Sequence, residues 1–179
     1  NFTKSILFEH SKQRLGLLGG GQLGRMMIQS AISYNIDVHV LDGDENAPCK
    51  TIASSFTHGS IVDYQTVLDF GRDKDVITVE IENVNIDALE VLEKEGKKVY
   101  PQPHVLRIIK DKGIQKQFYL DNDLPTAPFL LVNSLDDIKQ NASFLPAANK
   151  IRTGGYDGKG VVVLKSESDI EKGFNAPGI

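Results

Sequence analysis

Three clusters in this 179-residue sequence combine residue types that could do chemistry. The most telling is Thr153-Gly154-Gly155-Tyr156-Asp157-Gly158-Lys159-Gly160, preceded by Lys150 and Arg152. Four glycines let a loop fold its N–H groups around phosphate oxygens, and lysines neutralise charge that grows during phosphoryl transfer. The segment is not a Walker loop, because Gly160 rather than serine or threonine follows Lys159 and no helix is expected directly after it. It reads instead as a lid that closes over a nucleotide, against the blander reading of a solvated hairpin tip. The second cluster, Gly19-Gly20-Gly21-Gln22-Leu23-Gly24, fits G-x-G-x-x-G, a turn that brings backbone N–H groups and a helix N-terminus to an anion. With Asp42 where a dinucleotide fold keeps its ribose-binding acid, an NAD-dependent oxidoreductase is a candidate; the alternative is a tight turn serving only helix packing. The third, Glu80-Ile81-Glu82-Asn83, offers two carboxylates that could grip sugar hydroxyls, or that merely cap the next loop.

The elements around these clusters alternate. Arg14 to Leu18 is a short apolar run stopped by glycines, helical spacing runs from Gln22 to Asn35, and Val38 to Leu41 is a second strand. Strands are expected again near Ser55 to Thr57, at Val76 to Val79 and at Lys98 to Tyr100, separated by helices at Tyr64 to Phe70 and Asp87 to Glu95. Strands separated by helices imply an α/β fold with a mostly parallel, doubly wound sheet, because parallel neighbours need crossover connections. Glu80 then falls at the carboxyl end of a strand, where open α/β sheets bind ligands. A first domain is placed at residues 1–102, with Pro101 and Pro103 marking its end, and a second at 103–179. In the second, a long helix is expected over Val105 to Asn122, a strand at Phe129 to Val132 and a helix capped by Ser134 through Gln140. Extended chain from about residue 147 and the β-branched run Val161 to Leu164 should flank the glycine loop as a hairpin-like flap. The second domain reads as cut off at Ile179.

Composition narrows the classes. With 40% hydrophobic and 25% charged residues the chain can bury a real core, and a net charge of −4 provides no basic field for nucleic acid. Apolar stretches are too short to span a bilayer, so a cytoplasmic protein is expected. The lone Cys49 excludes an intrachain disulfide and reads as a structural thiol. His10, His39, His58 and His104 lack ligand spacing.

Taken together, these segments resemble the ATP-grasp ligases, most closely the N5-carboxyaminoimidazole ribonucleotide synthase family of purine biosynthesis. The matching motifs are Gly19 to Met26, Glu80-Ile81-Glu82-Asn83-Val84, Lys110-Asp111-Lys112 through Phe118, Leu124 to Pro128, and Thr153 to Gly160. The resemblance covers nearly the whole chain. It implies a Rossmann-like pre-ATP-grasp domain followed by a truncated ATP-grasp domain holding the start of its lid. It implies ATP- and bicarbonate-dependent carboxylation of aminoimidazole ribonucleotide through carboxyphosphate.

Carried over by position, Gln22, Leu23 and Glu80 would contact the phosphoribosyl substrate. Lys112, Lys150, Gly155, Tyr156, Asp157, Gly158, Lys159, Gly160 and Val161 would hold ATP, with Tyr156, Asp157 and Lys159 at the reacting centre. The family often has arginine at position 112, so lysine keeps the charge and loses a bidentate fork. Mg²⁺ is implied as cofactor with its ligands beyond Ile179, since Asp169 and Glu171 match no metal motif, and the resemblance leaves room for a homodimer. The isolated chain is expected to be inactive. The competing readings are a formate-dependent glycinamide ribonucleotide transformylase, an NAD-dependent oxidoreductase, and a non-catalytic binding module.

Overall fold

The structure, a computed structural model, describes residues 13–155, 158–174 and 177–179. The chain divides into two compact units between Leu106 and Arg107.

In the first unit the alternating pattern folds as β1 (Arg14–Leu18), α1 (Gln22–Ser33), β2 (Asp37–Asp42), β3 (Ser55–His58), α2 (Tyr64–Arg72), β4 (Val76–Val79), α3 (Ile86–Lys94) and β5 (Lys98–Tyr100). The strands form one parallel sheet in the order β3-β2-β1-β4-β5. Strand alternation sends successive side chains to opposite faces. Leu17, Val38 and Val40 accordingly pack with Ile28 and Ala31 of α1 on one side, while Leu18, Leu41 and Ile77 pack with α2 and α3 on the other. Both faces are covered, which is why the strands read as apolar runs rather than as alternating ones. Two helices start on local caps: Asp63 accepts from the Thr66 N–H at 2.8 Å before α2, and Asn85 from the Ala88 N–H at 2.9 Å before α3.

A buried cation lies under this sheet. Lys74 is 5% exposed, ion-paired with Asp73, and holds its ammonium 4.6 Å from the centroid of the Phe70 ring. Room for its stem comes from Gly16 in β1, where an added Cβ would sit 3.0 Å from Lys74 Cγ and 3.0 Å from the Phe70 ring. Across the strand, His39 donates to or accepts from Ser55 Oγ at 2.7 Å. Burial, then Lys74 and Arg14, lower its pKa below the usual histidine value.

The division between units falls within α4 (Pro103–Lys110). The second unit continues with α5 (Lys112–Asp121), α6 (Leu135–Gln140), β6 (Ala147–Lys150), β7 (Val161–Leu164) and α7 (Ile170–Gly173). The long helix expected over Val105 to Asn122 is two helices, because Asp111 leaves the helical conformation and turns its carboxylate onto the N–H groups of Gly113 (2.8 Å) and Ile114 (3.2 Å). The strand expected at Phe129 to Val132 does not form; only Val132 makes a bridge, to Gly178, and the rest of the segment is irregular. Ser134 caps α6 as expected, in a reciprocal capping box with Asp137. β6 and β7 pair antiparallel with Lys150 opposite Val161, so the glycine segment does connect the two strands of a ribbon. Among the described residues, no helix is long and apolar enough to cross a membrane.

Candidate functional site

The glycine turn after β1 differs from a phosphate-binding turn in what already occupies it. The N-cap position of helix α1 is Gly21, a residue with no side chain to cap the helix N–H groups. The cap arrives from the end of β4. Glu80 Oε2 accepts from Gly21 N–H at 3.1 Å, and Oε1 accepts from Leu23 N–H at 3.2 Å, with Gly24 N–H at 3.5 Å. Asp42 fills the other half of the turn, accepting from Gly20 N–H at 2.5 Å and Asp44 N–H at 2.7 Å. Glycine at 21 leaves room for this fit, since a Cβ there would lie 2.5 Å from Glu80 Oε1 and 2.9 Å from Oε2 and the carboxylate would have to shift. A dinucleotide pyrophosphate would need the same N–H groups and would meet two carboxylates. The outward lone pairs of Glu80 suit donors such as hydroxyls and amines. Gln22 and Leu23, the other sequence-predicted residues here, open α1 and are both exposed, Leu23 at 66%.

Cys49 packs beneath this turn, fully buried, with its thiol directed to the Gly21 carbonyl at 3.5 Å. Burial, then the nearby Glu80 and Asp42 carboxylates, push the thiol up from its ordinary value. It is a neutral packing residue rather than a nucleophile.

In the second unit, a cavity of about 700 Å³ is lined by Lys112, Lys116, Phe129, Phe144 and Lys150 among others. Lys112 and Lys150, widely separated in sequence, therefore share one cavity. Lys112 stands in the first turn of α5 and its Nζ donates to the Gly155 carbonyl at 3.3 Å, tying it to the start of the glycine loop. Lys116 is held by Thr126 Oγ1 and by the Ala127 carbonyl at 3.2 Å, with the Phe129 ring 5.6 Å away. Lys150 projects from the end of β6 and is exposed.

The glycine loop is pinched at its base by Ile151 N–H to Gly160 C=O, 2.8 Å. It is pinched again where a Cβ on Gly155 would lie 2.7 Å from the Lys159 carbonyl oxygen. Gly158, Lys159, Gly160 and Val161 are exposed on the far arm. Tyr156 and Asp157, expected at the reacting centre, lie outside the described residues.

Sequence reasoning missed Asp111 and Arg152 as a pair. Arg152 Nε and Nη2 donate to the two Asp111 oxygens at 3.0 and 2.8 Å. Burial raises the Asp111 pKa, but hydrogen bonds from Arg152, Ile114 and Gly113 outweigh it, and the net shift is downward. Among the described residues no three His, Cys, Asp or Glu side chains converge on a metal site. Asp169 instead caps its own turn, accepting from Lys165 N–H at 2.9 Å, and Glu171 pairs with Lys139 at 2.6 Å.

The glycine turn of this Rossmann-type half-sheet receives a carboxylate where a dinucleotide-binding turn keeps its N–H groups for a pyrophosphate, which sets it apart from that class of site. The chain belongs to the ribonucleotide synthetase preATP-grasp domain family, whose model matches residues 12–110. It is 41% identical over 167 residues to a phosphoribosylaminoimidazole carboxylase of Candida glabrata, covering 89% of this chain and 29% of that protein. It also resembles an N5-carboxyaminoimidazole synthetase from Staphylococcus aureus complexed with ADP (TM-score 0.85, 32% identity, 93% of this chain and 46% of that one). A third match is the Aspergillus clavatus N5-carboxyaminoimidazole synthase in complex with ADP and aminoimidazole ribonucleotide (TM-score 0.82, 31% identity, 93% and 45%). The chain thus spans less than half of each of these proteins.

Proposed function

We propose that this chain supplies the ribonucleotide-facing turn and the phosphate-facing lysines of an ATP-dependent ligase that carboxylates the amine of 5-aminoimidazole ribonucleotide. The observation that carries the reading is the convergence of Lys112 and Lys150 on one cavity, with Lys112 anchored to the glycine loop at Gly155. One relative of this fold, the Aspergillus clavatus synthase, is in complex with ADP and aminoimidazole ribonucleotide, which supports the same pairing of ligands.

In this reading Lys112, Lys150 and the loop Gly155 to Val161, including Lys159, take the ATP phosphates. A bicarbonate oxygen attacks the γ-phosphorus and ADP leaves, giving carboxyphosphate. The ribonucleotide amine then attacks its carboxyl carbon, phosphate departs with the C–O bonding electrons, and the amine gives up a proton. Negative charge accumulates on phosphate oxygens at each stage, so the lysine ammoniums and loop N–H groups stabilise the transition states. Tyr156, Asp157 and Lys159 are the residues assigned to the reacting centre, where a closed lid keeps water from the acyl phosphate. Gln22, Leu23 and Glu80 take the ribonucleotide, Glu80 through hydroxyl or amine donors. Among the described residues no three His, Cys, Asp or Glu side chains converge on a metal site, and no step is assigned to Mg²⁺.

The reading is tested by ligand-observed NMR on the 179-residue chain with ATP, aminoimidazole ribonucleotide, glycinamide ribonucleotide and NADH. Saturation transfer to the first two, with the ATP signal lost in Lys150→Ala, is the expected outcome. Transfer to NADH or to glycinamide ribonucleotide in place of aminoimidazole ribonucleotide would overturn it.

A further inference from the structure

Nothing in the phosphate-binding role of Lys112 and Lys150 requires Arg152, yet Arg152 is held more tightly than either. Both guanidinium donors on its Nε edge are spent on Asp111, and the two side chains are only 29% and 19% exposed. The Asp111 carboxylate serves two masters at once: the same Oδ1 that takes Arg152 Nε also caps α5 through Gly113 and Ile114. The backbone repeats the connection, with Lys112 N–H donating to the Arg152 carbonyl at 3.0 Å. Gly113 completes the fit, because a Cβ there would lie 2.7 Å from Arg152 Nε and 3.0 Å from Cζ. A cation over a helix N-terminus is repelled by the helix dipole unless a carboxylate stands between them. The place of Arg152 against α5 therefore depends on Asp111, and Arg152 is turned toward that carboxylate.

The consequence is geometric. Arg152 is the second residue after β6, so fastening it to α5 fixes the point where the chain leaves Lys150 and enters the glycine loop. Fastening α5 at the same carboxylate fixes Lys112, whose Nζ reaches the loop at Gly155. Lys150 and Lys112 are thus referred to one shared anchor. We propose that Asp111 and Arg152 are positioning residues: their bidentate pair holds the root of the glycine loop so that Lys112 and Lys150 meet the phosphates of one nucleotide together. The proposal rests on the ATP reading above. A lysine at 152 would keep the charge but not the two parallel bonds.

The test compares ATP with adenosine, by equilibrium dialysis against the 179-residue chain and its Arg152→Lys and Asp111→Asn variants. Loss of a charge-assisted anchor should raise the ATP dissociation constant about ten-fold while adenosine binding stays as in the wild type. Arg152→Lys leaves the α5 cap intact, so it carries the test if Asp111→Asn fails to fold. Unchanged ATP binding in Arg152→Lys overturns the proposal, and so does an equal loss of ATP and adenosine, which would mark a merely structural pair. Amide hydrogen exchange separates this proposal from the ATP reading. If the wild-type chain binds neither nucleotide, the ATP reading fails; faster exchange at the Lys112 and Ile151 amides in Arg152→Lys still supports the anchor, and unchanged exchange there removes it.

Discussion

Replacing Glu80 by alanine should do two opposite things, and the pair of effects tests the description of the glycine turn. The first is a loss of stability. Gly21 N–H is partly buried and would be left without its acceptor, at a cost of about 1–3 kcal/mol. Leu23 N–H is exposed and would turn to water, so its main loss is the attraction of the carboxylate for the helix terminus, about 0.3–1 kcal/mol. A total near 2 kcal/mol should lower the urea midpoint of the first unit by about 1 M, followed through the Val38 and Ile77 methyl resonances. The second effect is a gain. With the carboxylate gone, the N–H groups of Gly21 and Leu23 become an ordinary anion site at a helix N-terminus, although Asp42 still holds Gly20 N–H. At 0.1 M phosphate and a dissociation constant of about 10 mM, linkage would return about 1.4 kcal/mol to the variant and little to the wild type. A variant within 0.5 kcal/mol of wild type, or a wild type that phosphate stabilises more than the variant, would refute the view that Glu80 fills an anion cradle.

Three further outcomes follow from the same geometry. Gly21→Ala should destabilise the first unit by about 1–2 kcal/mol, because the Cβ contact at 2.5 Å displaces the Glu80 carboxylate; Glu80→Ala combined with it should cost less than the sum of the two, as a double-mutant cycle in urea would show. Asp111 has a folded pKa below its ordinary value, so its contribution is fully present above the ordinary carboxylate range and is lost as pH falls through the lowered folded value. Acid unfolding of Asp111→Asn should therefore show a shallower fall in stability below about pH 4 than the wild type. Cys49, fully buried with a raised pKa, should react with a disulfide reagent only at the rate of opening of the first unit, and quantitatively once urea unfolds it.

The parallel sheet was legible because both of its faces are covered: Leu17 and Leu18 are successive residues buried on opposite sides, which leaves an apolar run in the sequence. Local caps were equally legible, since Ser134 and Asp137 lie within one turn of each other. What could not be read were contacts made across the chain. Glu80 caps a helix 59 residues away and Arg152 pairs with Asp111 across 41 residues, and no spacing rule links such positions. The break between α4 and α5 was hidden for a related reason. Apolar spacing continues through Lys110-Asp111-Lys112, and only the capping geometry of Asp111 shows that the helix restarts there. At Phe129 to Val132 the aromatic and branched residues promised a strand, but pairing partners, not propensity, decide whether one forms.

Gly16 and Lys74 carry a consequence for descent. Because the lysine stem occupies the volume that a side chain at position 16 would fill, the two sites cannot drift independently. Alanine in the middle of β1 requires Lys74 Cγ and the Phe70 ring to give by a few tenths of an ångström, anything larger displaces them further, and a lineage that loses the lysine stem opens a void that a larger residue at 16 can fill. Correlated replacement at these two positions, 58 residues apart, would be the historical record of a single packing contact.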